Sequence, residues 1–357
     1  MNHYSALKFF HFPDKVRDWM ADRVTPPIHV RLKPTNRCNH DCVYCCYRNP
    51  ELPMSELFRE PDEIPWPRLE RLLDELAEAK VRSVTFSGGG DPLCYPRIAN
   101  AVERLASLGV RVALLTNGSA LGGEIADVLG RRATWVRVSM DAGDPATYAK
   151  TRRIGLGVFD HVCENLERFA RTKSPSCELG INFVATRENA GELYDFLARM
   201  KRIGVAHVKV SEAVVSRDDA ANAEYLDEFV RVLRGQVDRA KRDLGPDGFA
   251  IVDRIGTHGQ GPAFHTTQST CPMVHWLVAI GADLNVYTCQ DKAYTKSGLI
   301  GSVRDRSFVD LWRDVGTHRR ILSHNPGVDC RHHCAQDAKI ATLVDFRGAG
   351  LAHTEFV

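Results

Sequence analysis

The chain has 357 residues, 44% of them hydrophobic, enough to bury one large domain or a large domain with a smaller companion. Its 47 basic and 45 acidic residues leave a net charge of +2, and no long basic run argues for nucleic acid or an anionic membrane. No apolar stretch approaches the roughly 20 residues that cross a bilayer, and Lys8, Asp14, Lys15, Arg17 and Asp18 overcharge the N-terminus for a signal peptide.

In chain order, "IHVRL" (28–32) reads as a strand that ends just before a cysteine-rich loop. "WPRLERLLDELAEAK" (66–80) puts Trp66, Leu69, Leu72, Leu73, Leu76 and Ala77 on one helical face, with Pro67 suited to the first turn. "VRSVTFSGGG" predicts a strand running into a glycine turn, followed by a helix near 97–108. "VRVALLTNG" predicts a strand and turn, then a helix near 120–130. "TWVRVSMD" is the next strand, with a helix around 158–172 behind it. "CELGINFVAT" is a strand, "NAGELYDFLARMKRIG" a helix stopped by Gly204, and "VAHVKVSE" a sixth strand. Six strands, each followed by a helical pattern, predict an α/β fold of parallel βα units.

After about residue 215 the character changes. A charged helix over 219–243 leads into the turn-rich "DLGPDGFA", and from 271 onward cysteines and histidines recur in shorter elements. The expected organisation is an N-terminal extension over 1–27, an α/β domain over 28–245 and a smaller cysteine-rich α+β domain over 246–357.

The loop "RLKPTNRCNHDCVYCCYR" (31–48) places Cys38, Cys42, Cys45 and Cys46 within nine positions. A cytoplasmic protein is expected, and the cytosol keeps thiols reduced, so these 11 cysteines point to metal or catalysis and not to disulfides. Cys38, Cys42 and Cys45 form C-x3-C-x2-C. A short loop can wrap three thiolates around one cubane and leave its fourth iron open to a small molecule. A structural zinc site is the alternative, although it usually takes four ligands with paired C-x2-C knuckles.

This arrangement resembles the radical S-adenosylmethionine (SAM) superfamily. The resemblance continues in "SGGGDP" (87–92), in "TNG" (116–118) and in "VSMDA" (138–142), at the ends of successive strands. It implies a partial (β/α)6 TIM-like barrel whose Cys38, Cys42 and Cys45 hold a [4Fe–4S] cluster. It also implies that Gly88, Gly89, Gly90, Asp91, Asn117, Ser139, Asp141 and Tyr44 surround SAM. Asp91 stands where the family usually has Glu. Cys46 has no place in the pattern and reads as structural.

Cys271 and Cys289 lie 18 residues apart, and Cys330 and Cys334 follow in "VDCRHHCAQDAK". "VAIGADLNVYTC" predicts a β-hairpin turning at Gly281–Asn285. With "GLIGSVRDRSFVDLW" (298–312), this resembles the SPASM and shorter twitch domains of radical SAM enzymes. The resemblance implies one auxiliary [4Fe–4S] cluster on Cys271, Cys289, Cys330 and Cys334. Zinc stays open, because His332 and His333 stand between the last pair. His258, His265 and His275 enter the same region, and Gln290, Asp291 and Lys292 are placed either at the barrel mouth or on a solvated hairpin end.

Cys94, Cys163 and Cys177 remain. Cys94, just beyond "GGGDPL", is the candidate hydrogen-atom donor, and core packing is its ordinary alternative. The resemblance implies cleavage of SAM to a 5′-deoxyadenosyl radical, fed by an external one-electron donor such as flavodoxin or ferredoxin. Only 37 residues precede Cys38, too few for a peptide-binding wing. The expected substrate is therefore a small polar molecule, a sugar, aminocyclitol or nucleoside, with dehydrogenation as the outcome. Epimerisation or rearrangement of that class and maturation of a peptide or protein side chain are the alternatives, with a non-catalytic iron–sulfur or zinc scaffold as a third class.

Overall fold

The computed structural model describes residues 5–49, 56–216, 218–246, 248–256, 268–330 and 334–349. His258, His265, His332 and His333 lie outside the described residues. Among the described residues there are ten strands: β1 His29–Leu32, β2 Ser83–Phe86, β3 Arg111–Thr116, β4 Ala133–Ser139, β5 Glu178–Ala185, β6 His207–Glu212, β7 Ala250–Asp253, β8 Leu277–Ile280, β9 Asn285–Tyr287 and β10 Leu299–Ser302. They form one open sheet in the order β10-β9-β8-β1-β2-β3-β4-β5-β6-β7. Strands β1 to β7 pair in parallel, each with the next. This is the expected partial barrel, with one parallel strand more than the six read from the sequence.

That extra strand, "AIVD", comes soon after the sequence Gly-Pro-Asp-Gly, whose turn-favouring composition hides the short run beside it. Tertiary pairing supplies what propensity lacks: Ala250 N–H donates to Ala206 O at 3.2 Å and Arg254 N–H to Val210 O at 2.9 Å. A helix at Pro145–Arg152 was also not anticipated, although Asp144 caps it through the N–H groups of Ala146 and Thr147 and Pro145 occupies its first position. The charged stretch expected as one helix divides into Asp219–Asp227 and Val230–Leu244.

Each strand buries one face against helices and turns the other inward, with the period of two that the pleat dictates. Val30, Leu32, Val84, Phe86, Leu114, Val136, Val138, Ile181, Val208 and Val210 pack with Leu69, Leu72, Leu73 and Leu76 of the helix Trp66–Glu78 and its successors. The opposite face carries Arg31, Thr85, Arg137, Asn182 and Lys209 and lines the barrel lumen.

The C-terminal hairpin forms where expected. β8 and β9 pair antiparallel, and Leu284 N–H donates to Gly281 O at 3.0 Å in the turn. β8 also adds in parallel to β1, with Leu277 opposite His29, so the cysteine-rich segment continues the barrel sheet. A second core joins Phe9, Val16 and Trp19 to Met273, Trp276, Ile340 and Leu343, which ties the N-terminal segment to the C-terminal helix Asp337–Gly348. Among the described residues no helix is long and apolar enough to cross a membrane.

Candidate active site

Beyond β1 the chain enters the cysteine loop, which docks on the C-terminal end of the helix Pro145–Arg152. Asp41 N–H donates to Arg152 O at 3.1 Å and Val43 N–H to Thr151 O at 3.0 Å. A turn closed from Cys45 N–H to Cys42 O, at 3.0 Å, brings the second and third thiols round. The thiols of Cys38 and Cys42, and of Cys42 and Cys45, lie within each other's electrostatic field. Burial, and then the charges of Asp91, Cys42 and Cys94, push the Cys38 thiol up to about 12 against an opposing backbone hydrogen bond at His40. Burial also raises Cys42, opposed by a hydrogen bond and the positive charge of Arg152.

The three glycines belong where they are because the cysteine loop lies directly on them. A Cβ on Gly89 would stand 1.9 Å from Asn36 Oδ1, and one on Gly90 would stand 1.9 Å from Arg37 O. Gly90 N–H donates to Thr35 O at 3.2 Å and Asp91 N–H to Arg37 O at 2.9 Å. The two loops are therefore one backbone-to-backbone unit at the C-terminal ends of β1 and β2, where a parallel βα fold places its chemistry.

Asp91 is buried and its carboxylate is occupied. It accepts from Thr116 Oγ1 at 2.9 Å, from Asn117 N–H at 2.6 Å and from Leu93 N–H at 2.8 Å, stapling the end of β2 to the end of β3. Burial pushes its pKa up and these hydrogen bonds oppose the rise. Asn117 in turn donates from Nδ2 to Asn39 Oδ1 at 2.8 Å and reaches within 4.0 Å of Cys38 Sγ. Ser139 closes β4, in register with Asn182 of β5.

Asp141 is fully buried, and Arg152 Nη2 meets its Oδ2 at 2.7 Å. Burial pulls its pKa up and Arg152 pulls it down; at this distance the pair is ionic. Arg152 also lies 5.8 Å from the ring centroid of Tyr44 and 5.4 Å from that of Tyr148. A buried guanidinium thus links Asp141, Tyr44 and Cys42, three expected site residues. Arg152 is not among the residues expected from the sequence, because it sits on a helix that the strand–helix alternation does not predict. Its signal was there in "DPATYAKTR", a cap and Pro followed by basic residues in the last turn.

The second cysteine set also converges. Cys289 lies in the field of Cys271 and Cys330, and Cys334 in that of Cys289 and Cys271. Burial pushes Cys271 up to about 11 and Cys330 up to about 12. Cys271 and Cys334 pack at the edge of the second core, beside Trp276 and Ile340. His275 is buried there, with burial pushing it down to about 4, so it is a packed neutral ring. Among the described residues no three His, Cys, Asp or Glu side chains are gathered around a single-ion position.

Between the two cysteine sets lies a polar group that ties the barrel to the hairpin. Lys33 is fully buried and donates from Nζ to Tyr47 Oη at 2.8 Å, Gly88 O at 2.5 Å and Gln290 Oε1 at 3.0 Å. Burial pushes it down to about 7, with Cys46 opposing. Gln290 and Asp291 thus face the barrel. Cys46, read as structural, lies in the fields of Cys45, Lys33 and Asp291. Cys94 has its Sγ 3.8 Å from Asn39 Oδ1, on the side of Cys38. Cys163 and Cys177 are core residues.

Residues 32–211, half of the chain, match the family model of the radical SAM superfamily. The chain belongs to the radical SAM superfamily. Members use a [4Fe–4S] cluster and SAM. This radical SAM chain is 27% identical over 298 residues to a PqqA peptide cyclase of Xanthomonas axonopodis pv. citri, covering 81% of this chain and 75% of that protein. It is 26% identical over 297 residues to a GTP 3′,8-cyclase of Heliobacterium modesticaldum, covering 82% and 86%. Its fold is similar to that of Streptococcus suis SuiB bound to its precursor peptide SuiA, with a TM-score of 0.62 at 15% identity over 86% of this chain and 69% of that one. The shared fold is that of the SPASM/twitch-type radical SAM enzymes.

The residues present fit the family's groups. Three thiols share one loop, and the glycine turn beneath them leaves no space for a Cβ. The hydroxyls of Tyr44 and Ser87 are buried at this end of the barrel with no hydrogen-bond partner, as groups awaiting a polar ligand are.

Proposed function

We propose that this enzyme modifies a side chain of a peptide or protein, using Cys38, Cys42 and Cys45 for the SAM-binding cluster and Cys271, Cys289, Cys330 and Cys334 for an auxiliary one. The observation that carries the reading is the likeness, over most of the chain, to a peptide cyclase and to an enzyme solved with its precursor peptide. The small polar substrate expected from the sequence gives way to this reading. That expectation rested on the length of chain ahead of Cys38, which does not bear on what the lumen admits.

When bound, the cluster and SAM supply a 5′-deoxyadenosyl radical that takes hydrogen from carbon. The chain's own residues prepare for it. Arg152, anchored by Asp141, holds positive charge beside Cys42 and favours its thiolate. Asp91 holds the β2 and β3 turns in one geometry, and Lys33 fixes the carbonyl of Gly88 beneath the cysteine loop. Gly88, Gly89, Gly90, Asn117, Ser139 and Tyr44 stand at the strand ends as the SAM-facing wall. Cys46, which lies in the fields of Lys33 and Asp291, joins Cys94 as a candidate thiol for returning hydrogen.

The test uses anaerobically reconstituted, dithionite-reduced protein with SAM, to which short peptides or small sugars and nucleosides are added. Peptides should raise 5′-deoxyadenosine release and emerge with altered mass. Stimulation by a sugar or nucleoside alone, with all peptides inert, would refute the peptide reading.

A further inference from the structure

Four cations converge on the lumen, and neither the SAM site nor the auxiliary cysteines account for them. The register shows that they share one face. Arg31 pairs with Thr85, Thr85 with Ala113 and Ala113 with Trp135, two residues before Arg137. Arg137 pairs with Gly180, two residues before Asn182, which pairs with Lys209. Lys209 pairs with Val252, and Arg254 follows two residues later. In-register neighbours point to the same side of a sheet, and the side chains between them are buried in the helix-covered core.

The lumen also joins the two cysteine sets. Cys38 lies beyond the C-terminal end of β1. Cys289 follows Tyr287, which pairs with Ala279 on the descending arm of the hairpin, and so returns to the level of Leu277 and His29 at the other end. Arg31 stands between these levels, within the fields of Cys289 and Asp291. Its Nε is buried with no hydrogen-bond partner. Lys209 lies in the field of three cations, Arg137, Arg31 and Arg254, and of one carboxylate, Asp291. Burial and these cations push it down to about 8. Like charges at close range in a poorly solvated space repel strongly, and an incoming anion relieves that repulsion. Arginine forks match the paired oxygens of carboxylate and phosphate.

We propose that the lumen is an oxyanion subsite, in which Arg31, Arg137, Lys209 and Arg254 hold a carboxylate or phosphate of the substrate between the two cysteine sets. This rests on the proposed modification of a peptide or protein side chain and deepens it by taking the lumen as the substrate chamber, which selects substrates that carry an acidic group near the reacting carbon. Asp291 is one anion already acting on Arg31 and Lys209, which the substrate group joins or displaces.

The test is calorimetric binding to the full-length, iron-loaded protein with SAM present, which needs no turnover. The probes are an acetylated and amidated Ala-Glu-Ala, its Ala-Gln-Ala counterpart, and inorganic pyrophosphate. One of the two anions should bind and the neutral peptide should not. Arg31→Gln and Lys209→Gln should each weaken that binding at least about tenfold, the loss of one charge-assisted hydrogen bond, whereas Arg31→Lys should retain most of it. Arg111→Gln, on an exposed residue of β3, should leave it unchanged. Iron content and melting temperature report whether each variant folds. Pyrophosphate binding alone would support the subsite and count against the peptide reading. Absence of saturable anion binding below about 10 mM, or equal binding in both Gln variants, would overturn the proposal.

Discussion

Replacing Arg152 by Met strands the carboxylate of Asp141, which has no exposed surface and whose charge Arg152 balances at 2.7 Å. Breaking a buried pair from one side costs about 3–5 kcal/mol. With an unfolding entropy of about 2.1 cal/mol/K per residue, a chain of this length has ~0.75 kcal/mol/K, so the midpoint should fall by about 4–7 °C. Asp141→Leu should cost less, because the stranded guanidinium keeps its contacts with the rings of Tyr44 and Tyr148. The double variant Asp141→Leu with Arg152→Met removes both charges and should recover about 2–3 kcal/mol relative to the sum of the singles. Guanidinium unfolding of the four proteins closes the cycle. Additive losses would refute the claim that the pair is coupled. A second readout follows from the contact with Cys42: Arg152→Met should retain iron less well than the parent, whereas a purely structural role would leave iron retention unchanged in the folded variant.

Cys42→Ala should abolish 5′-deoxyadenosine release by the reduced protein, and release at the parental rate would remove Cys42 from the cluster. Cys289→Ala should lower bound iron from roughly eight to roughly four per chain while some uncoupled SAM cleavage persists; stoichiometric zinc with four irons in the parent would contradict an auxiliary cubane. Gly90→Ala drives a Cβ to 1.9 Å from the backbone of Arg37, so SAM binding should weaken at least about tenfold, while Gly191→Ala, with nothing within 4 Å, should bind as the parent does. His275, pushed down to about 4 by burial, binds fewer protons folded than unfolded between that value and its ordinary range. Its contribution therefore holds above pH 6.5 and is lost as the pH falls toward 4, about 2 kcal/mol of it by pH 5. His275→Phe should flatten the stability profile by that amount, and an unchanged slope would place the acid sensitivity elsewhere.

The local patterns of this chain carried much of the answer. Alternating β-branched runs and amphipathic stretches specify parallel βα units, because only residues of period two and period 3.6 can bury one face each. Three cysteines in one loop and a run of glycines after the next strand specify the family, since one short loop can wrap three thiolates around a cluster and a backbone contact needs positions without a Cβ. What the sequence could not show is what depends on partners distant in the chain. β7 exists because β6 offers its edge. Asp91 and Asp141 read as carboxylates near SAM, and their bonds to Thr116, Asn117 and Arg152 are contacts no spacing rule reveals. Arg31, Arg137, Lys209 and Arg254 are scattered over more than two hundred positions and look like ordinary surface charges in the sequence. Only the register of seven strands turns them onto one face, because a side chain's environment is set by the strand beside it and not by its neighbours in the chain.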